Sequence, residues 1–212
     1  MSDAASDGVL TPERILEAAE DVLRRFGPSK TTVVDVARAL GVSHGSVYRH
    51  FPSKAALRDA VTERWLRRIS DPLEVVVRGK QAPPERLRAW LDALMAAKRR
   101  RCLDEAELFA TYVGLTADAR DVVKAHVDTL VDQIARIIAD GMKSGAFSVK
   151  DARVAARSVF DATARFHNPA HAGEWSDPGI DAAFEGVWSL LRAALTAPSS
   201  GSQTSGTRGR KG

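Results

Sequence analysis

The chain has 212 residues, enough for one compact unit or two small ones with a real core. It is 44% hydrophobic and 27% charged, ordinary for a soluble globular protein, and a net charge of +4 is too small to imply nucleic acid by itself. A single cysteine, Cys102, excludes an intrachain disulfide and zinc ligation by paired thiolates; with no leader-like N-terminus and no apolar run long enough to span a bilayer, a cytoplasmic protein is expected.

Residues 1–10 are small and polar and are expected to be disordered. Thr11-Pro12 then gives a cap followed by proline at the first helical position. Ile15, Ala19, Val22, Leu23 and Phe26 form one apolar stripe on a helix that ends near Gly27-Pro28.

The stretch from Thr31 to Lys54 carries the densest signal. Thr32 caps a short helix and Asp35 completes a capping box, with Val34, Ala37 and Leu40 as the apolar face. Gly41 suits a left-handed cap, and Ser43 caps the next helix only two residues later. So short a link forces a steep crossing, the geometry of a helix-turn-helix. In the second helix, Ser43 to Phe51, Val47 and Phe51 share the inward face. His44, Gly45, Ser46, Tyr48, Arg49 and His50 are left facing out, a surface that fits the major groove of B-DNA. Pro52 stops this helix, Ser53 caps the next, and Lys54 sits at its N-terminus, where a cation and free N–H groups suit a phosphate. The charge distribution agrees: basic residues outnumber acidic ones between Lys30 and Arg68.

A helix continues from Lys54 to about Ser70 through Leu57, Ala60, Val61, Trp65, Leu66 and Ile69, ending at Asp71-Pro72. Val75 to Pro84 is ambiguous, since the valine run favours strand while Gly79 and Pro83-Pro84 favour a connection. Helices then follow over Glu85–Cys102, Asp104–Gly114, Ala119–Ser144 and Asp151–Phe166, a loop over His167–Asp177, and a final helix after Pro178. Residues 197–212 form a basic tail of Ser, Gly and Thr that is expected to be disordered. The resulting division is 11–55 for a helix-turn-helix domain and 56–196 for a second helical domain that includes the connecting helix.

So much extra chain implies dimerisation, signal reception or both. Two copies about a two-fold axis read two half-sites. In the last two helices Ala155, Ser158 and Ala162 permit close approach, and Phe184, Val187, Trp188 and Leu191 offer apolar area; alternatively these helices complete one subunit's core. The middle helices carry Trp90, Met95, Phe109, Tyr112, His126, Phe160 and Phe166. Taken singly, each reads as core.

The quoted stretch resembles the DNA-binding domain of TetR-family transcriptional regulators. The matching residues are Thr31-Thr32, Asp35-Val36-Ala37, Leu40-Gly41-Val42-Ser43, Val47-Tyr48-Arg49-His50-Phe51 and Ser53-Lys54, and the match runs from about Ile15 to Trp65. The resemblance implies an all-α fold, an N-terminal three-helix helix-turn-helix domain followed by a helical ligand-binding and dimerisation domain. It implies a homodimeric repressor, without cofactor, released from a palindromic operator by a small-molecule inducer. It assigns base contacts to His44, Gly45, Ser46 and Arg49, and phosphate contacts to Thr32, Tyr48, His50 and Lys54. The last two helices would form a four-helix bundle across the dimer, and the aromatic set of the middle helices would line a ligand pocket. Val33 stands where many members carry a longer polar side chain that reaches a base.

Three further signals carry less. His167, His171 and Glu174 are metal-ligand types, but across a proline-broken loop they read as capping and loop hydrogen bonds, and no metal is expected. The Lys98–Arg101 run before Cys102 suits either a redox-sensitive thiol or a helix C-terminus. No nucleophile–base pair or phosphate loop appears, so no enzyme is expected. A non-specific architectural DNA-binding protein and a helical small-molecule binder with an incidental helix-turn-helix remain as alternatives.

Overall fold

The computed structural model describes residues 9–104 and 106–196. The expectations for residues 1–8 and for the tail 197–212 lie outside them.

Capping residues set the helix boundaries at the N-terminal end. In α1 (Pro12–Lys30) the Thr11 hydroxyl accepts from the Arg14 N–H, and Gly27, at φ 74°, breaks the helical path near its end. In α2 (Val33–Leu40) the capping box is complete: Thr32 Oγ1 accepts from Asp35 N–H and the Thr32 N–H donates to the Asp35 carboxylate, while Gly41 closes the helix at φ 66°. Ser43 caps α3 (His44–Tyr48) and Ser53 caps α4 (Lys54–Ser70). α3 is therefore shorter than the expected Ser43–Phe51 span.

Two apolar assignments need correction. Phe26 is 58% exposed, because the chain leaves the helix one residue later and this last turn stands at the edge of the core. In α2 the buried residues are Val33, Val36 and Ala37, and Val34 is 49% exposed. The helix is rotated by one position from the expected face, so Val33 belongs to the core and Val34 is the residue presented outward.

The valine run folds as a helical turn, α5 (Leu73–Val77), whose Leu73 and Val77 are buried. Then come α6 (Pro83–Asp104), α7 (Ala106–Asp118), α8 (Arg120–Lys143), α9 (Ala152–Ala162), α10 (Ala164–His167), a 3₁₀ turn over Pro169–Glu174, and α11 (Ile180–Thr196). No strand occurs among the described residues. No helix is long and apolar enough to cross a membrane.

α8 is the hub, packing against α4, α5, α6, α7 and α9. Its Leu130, Ile134 and Ile137 meet Leu87, Trp90, Leu91 and Leu94 of α6 in a core from which water is excluded. Within that core the Trp90 indole N–H donates to Gln133, whose amide donates to the Ser70 carbonyl and to Glu74. The helix α4 joins the two ends of the molecule, since it touches α1 as well as α6, α7 and α8. Buried Glu20 of α1 is paired with Arg64 and Arg68 of α4 at 3.3 and 2.9 Å.

Candidate functional site

The first candidate surface surrounds α3. Val47 is fully buried and half-buried Phe51 packs against the same core, which fixes the helix from behind. His44, Gly45, Tyr48, Arg49 and His50 are exposed, and Ser46 is half-buried. Ser46 is less free than expected: its hydroxyl bonds to that of Ser43 at 2.9 Å and accepts from the Arg49 guanidinium at 3.1 Å. It orients Arg49 along the helix surface. The His44 and Tyr48 rings meet edge-on at 6.4 Å. A methyl group on Gly45 would meet Ser43 Oγ at 3.8 Å, an ordinary contact, so nothing inside the chain demands glycine there.

Thr32 and Lys54 line one cleft between α1, α2 and α4. Lys54 is exposed at the N-terminus of α4, where the helix dipole adds to its charge. Thr32 is engaged: its hydroxyl donates to Asp35 at 2.6 Å. That bond, with those from the Thr32 backbone and Arg38, holds the Asp35 carboxyl below its usual range. The Thr32 hydroxyl is therefore committed to the helix cap. The exposed Val34 is the outward residue that sequence reasoning missed. Val33 and Val34 are equally apolar, so packing on α1 and not a local signal decides which of them faces out.

The second candidate site is the interior of the larger module. Trp90, Met95, Phe109, Tyr112, Phe160 and Phe166 are all buried and packed. Tyr112 stacks on Trp65 at 4.4 Å, Phe109 meets Trp175, Phe160 lies against His167, and Phe166 meets Phe184. Burial pushes the Tyr112 hydroxyl well up, and nearby Glu20 adds to the shift. Of the expected pocket set, His126 lines an open groove, about 480 Å³, between α4 and α8 together with Leu66, Ser70, Val122 and Ala125.

Sequence reasoning missed the chemically unusual residue here, Lys98. It is 6% exposed and has no hydrogen-bond or ion-pair partner among the described residues. Burial lowers its ammonium to about 8, with Arg101 adding to the effect. His126 is lowered to about 3 and His167 to about 4, each by burial first and by the Lys98 charge second. His167 donates to the Phe160 carbonyl at 3.2 Å, whereas the buried Nε2 of His126 has no partner. Lys98 sits four residues after Leu94 on the inward face, and that spacing was the available signal.

The basic run before Cys102 is thus divided. Arg99 pairs with Asp181, Arg100 is exposed, and Arg101 lies over the Trp65 ring at 5.8 Å. His171 pairs with Glu174, which also binds Arg165, so the loop groups are tied to one another rather than gathered with His167.

The candidate dimer residues are spread over different environments. Phe184 and Trp188 are buried in the subunit's own core, with the Arg88 guanidinium 4.9 and 5.8 Å from their rings. Ala155, Val187 and Leu191 are half-buried, and Ser158 and Ala162 are exposed. Val154 and Leu190, 65% and 73% exposed, are the large apolar groups these two helices leave uncovered.

Comparison with known proteins gives two family matches. The family described as bacterial regulatory proteins, tetR family, matches residues 15–61, and a tetracyclin repressor-like C-terminal domain matches residues 83–188. An uncharacterized HTH-type transcriptional regulator of Mycobacterium tuberculosis is 36% identical over 78 residues, 37% of this chain and 39% of that one. The HTH-type transcriptional regulator TtgR of Pseudomonas putida is 40% identical over 53 residues, 25% of each chain. The chain therefore spans well under half the length of these curated relatives. Among solved structures, SmeT, the repressor of the Stenotrophomonas maltophilia multidrug efflux pump SmeDEF, superposes with a TM-score of 0.63 at 20% identity, covering 89% of this chain and 92% of that one. RolR in complex with resorcinol gives 0.59 at 17% identity, with 88% and 93% covered. At these identities the likeness is one of fold.

Proposed function

The chain belongs to the tetR family of bacterial regulatory proteins, and from that premise we propose that it is a homodimeric cytoplasmic repressor relieved by a small molecule. The observation that carries this reading is α3: a five-residue helix pinned by Val47, with hydrogen-bonding side chains on its outer side. Residues 11–55 act as the reading module and 56–196 as the receiving and dimerising one. His44, Gly45, Ser46 and Arg49 face base edges, and Tyr48, His50 and Lys54 face phosphates, with Thr32 joining them once released from Asp35. A pair of such helices reads a palindrome whose half-sites lie roughly 34–36 Å apart, or a multiple of that.

Relief needs a two-state element that both sites bias. The helix α4 fits that role. Its N-terminus carries Lys54 beside the reading surface, and its C-terminal half is tied to α1 through Glu20 while also forming one wall of the α4–α8 groove. A ligand wedged in the groove shifts α4 and with it the spacing of the two reading helices. The resorcinol complex of a protein with this fold supports small-molecule control.

The test is fluorescence anisotropy on duplex fragments from the protein's own promoter region, in competition with random duplex. The wild type should prefer its site by about a thousandfold or more. The double substitution Tyr48→Ala with Arg49→Ala should abolish that preference without changing the melting temperature. Unchanged site affinity in the double variant would overturn the reading.

A further inference from the structure

Five cationic side chains, from two stretches far apart in sequence, line one open cleft of about 680 Å³. Arg78, Lys80 and Arg86 come from the link between α5 and α6 and the start of α6, and Arg136 and Lys143 from the C-terminal third of α8. Two of the five are fixed. Arg86 is 7% exposed, donates to the Val77 carbonyl at 2.8 Å and to Asp140 at 3.0 Å, and its Nε is buried without a hydrogen bond. Arg136 is held by Glu74 through two bonds. The other three have charge to spare. The side chains of Arg78 and Lys143, 80% and 79% exposed, meet Glu74 and Asp140 only loosely, at 3.6 Å each, and no ion pair holds Lys80 among the described residues. The link that carries Arg78 and Lys80 is tight: the Gly79 N–H donates to the Val76 carbonyl at 3.0 Å, and a methyl group on Gly79 would crowd that oxygen at 3.0 Å.

The charge count sets the class of partner. The five cations share two carboxylates, an excess of three, in a chain whose whole net charge is only +4. The helices α5 and α8 both end here, and a C-terminus draws cations with about half a negative charge. Two such ends still leave an excess of about two. We propose that the cleft binds a small organic diphosphate. Arg78, Lys80 and Lys143 hold the phosphoryl oxygens over the floor made by Arg86 and Arg136, since guanidinium and ammonium groups suit phosphate oxygens and a carboxylate monoanion would leave charge unmet. The apolar part of the ligand lies over Val75, Val76 and Ala89. These line an adjoining cleft of about 580 Å³ that shares Gly79, Lys80 and Gln81 with the basic one, and Val75 is 76% exposed. The site has no residue in common with the α4–α8 groove. Nor is it part of the reading surface: α5 follows the end of α4 opposite Lys54, about 25 Å along the helix. The proposal goes beyond the repressor reading and does not depend on it.

The experiment is calorimetric titration of the full chain, at fixed ionic strength, with pyrophosphate, geranyl diphosphate and geraniol. Pyrophosphate should bind, geranyl diphosphate should bind about tenfold or more tightly than pyrophosphate, and geraniol alone should give no measurable heat. Arg78→Gln with Lys80→Gln should weaken both diphosphates about tenfold or more at an unchanged melting temperature. Lys143→Gln, on a separate helix, should weaken them by a smaller factor and gives the same comparison should the double variant fail to fold. Val75→Ser should lower the affinity for geranyl diphosphate and leave pyrophosphate as it was. Arg49→Ala with Lys54→Ala should leave both unchanged. No binding of either diphosphate, equal binding of the two, or affinity that survives the loss of Arg78 and Lys80 would overturn the proposal. So would binding lost through Arg49 and Lys54 instead. A matching loss of duplex affinity in the Arg78 and Lys80 variant would also overturn it, since the surface would then belong to DNA.

Discussion

The short helix α3 and the inner half of α6 use polar side chains in opposite ways. In α3 one valine points inward and the polar groups face solvent, each cheap to leave there because water satisfies it. In α6 a lysine points inward among leucines and a tryptophan, at a standing energetic disadvantage. The first arrangement holds a surface ready without cost to the fold. The second places an ammonium where burial lowers its pKa to about 8. A polar group can mark a site on either side of a protein surface, but only the inward kind leaves a signature in stability.

That contrast can be broken most forcefully with acid. His126 and His167 are neutral in the folded chain, with values near 3 and 4, and would ionise near 6.5 when unfolded. Between those limits the unfolded state binds more protons, so stability falls as pH falls. From pH 6.5 to 5 each histidine should cost about 2 kcal/mol, seen as a drop in the urea midpoint that His126→Gln and His167→Gln each reduce. A slope left unchanged by both substitutions would break the contrast.

Next in size is Arg49→Ala, expected to lose about 1–3 kcal/mol at the matched operator and to blur sequence preference, with thermal stability within about 0.5 kcal/mol of wild type. Ser46→Ala should produce a smaller version of the same loss, since it unties the guanidinium from the helix surface. Competition binding against single-base operator variants is the measurement. A loss spread evenly over all sequences would move Arg49 to the phosphates.

The smallest effect belongs to Lys54→Ala. It should weaken binding to all duplexes alike and lower the slope of log affinity against log salt by about 1. An unchanged salt slope would detach the α4 terminus from the DNA face.

Much of the fold was readable because its punctuation is local. Thr11, Thr32, Ser43, Ser53 and Gly41 act through their own backbone neighbours, and the helix boundaries follow from them. Facing was harder. In α2, Val33 and Val34 offer two adjacent stripes of similar apolarity, and packing on α1 decides between them. Three consecutive valines favour strand in isolation, yet the short link between α4 and α6 closes them into a helical turn. In α11 apolar residues occur on several sides, so Phe184 and Trp188 go to the subunit core while Leu190 faces out. Lys98 was hidden by the arginines beside it: a run of four cations reads as solvated, and only its spacing from Leu94 points the first of them inward.

The Glu20 pairing with Arg64 and Arg68 has a practical consequence for anyone building sensors from such parts. A carboxylate sealed between modules makes the joint polar and particular, so the first fifty residues are not a free cartridge. A chimera that imports a foreign reading head onto this body would leave two arginines facing an unsuited partner, and one that exports this head would strand the glutamate. Grafts should be cut beyond Arg68, carrying α1 and its arginine clasp across together.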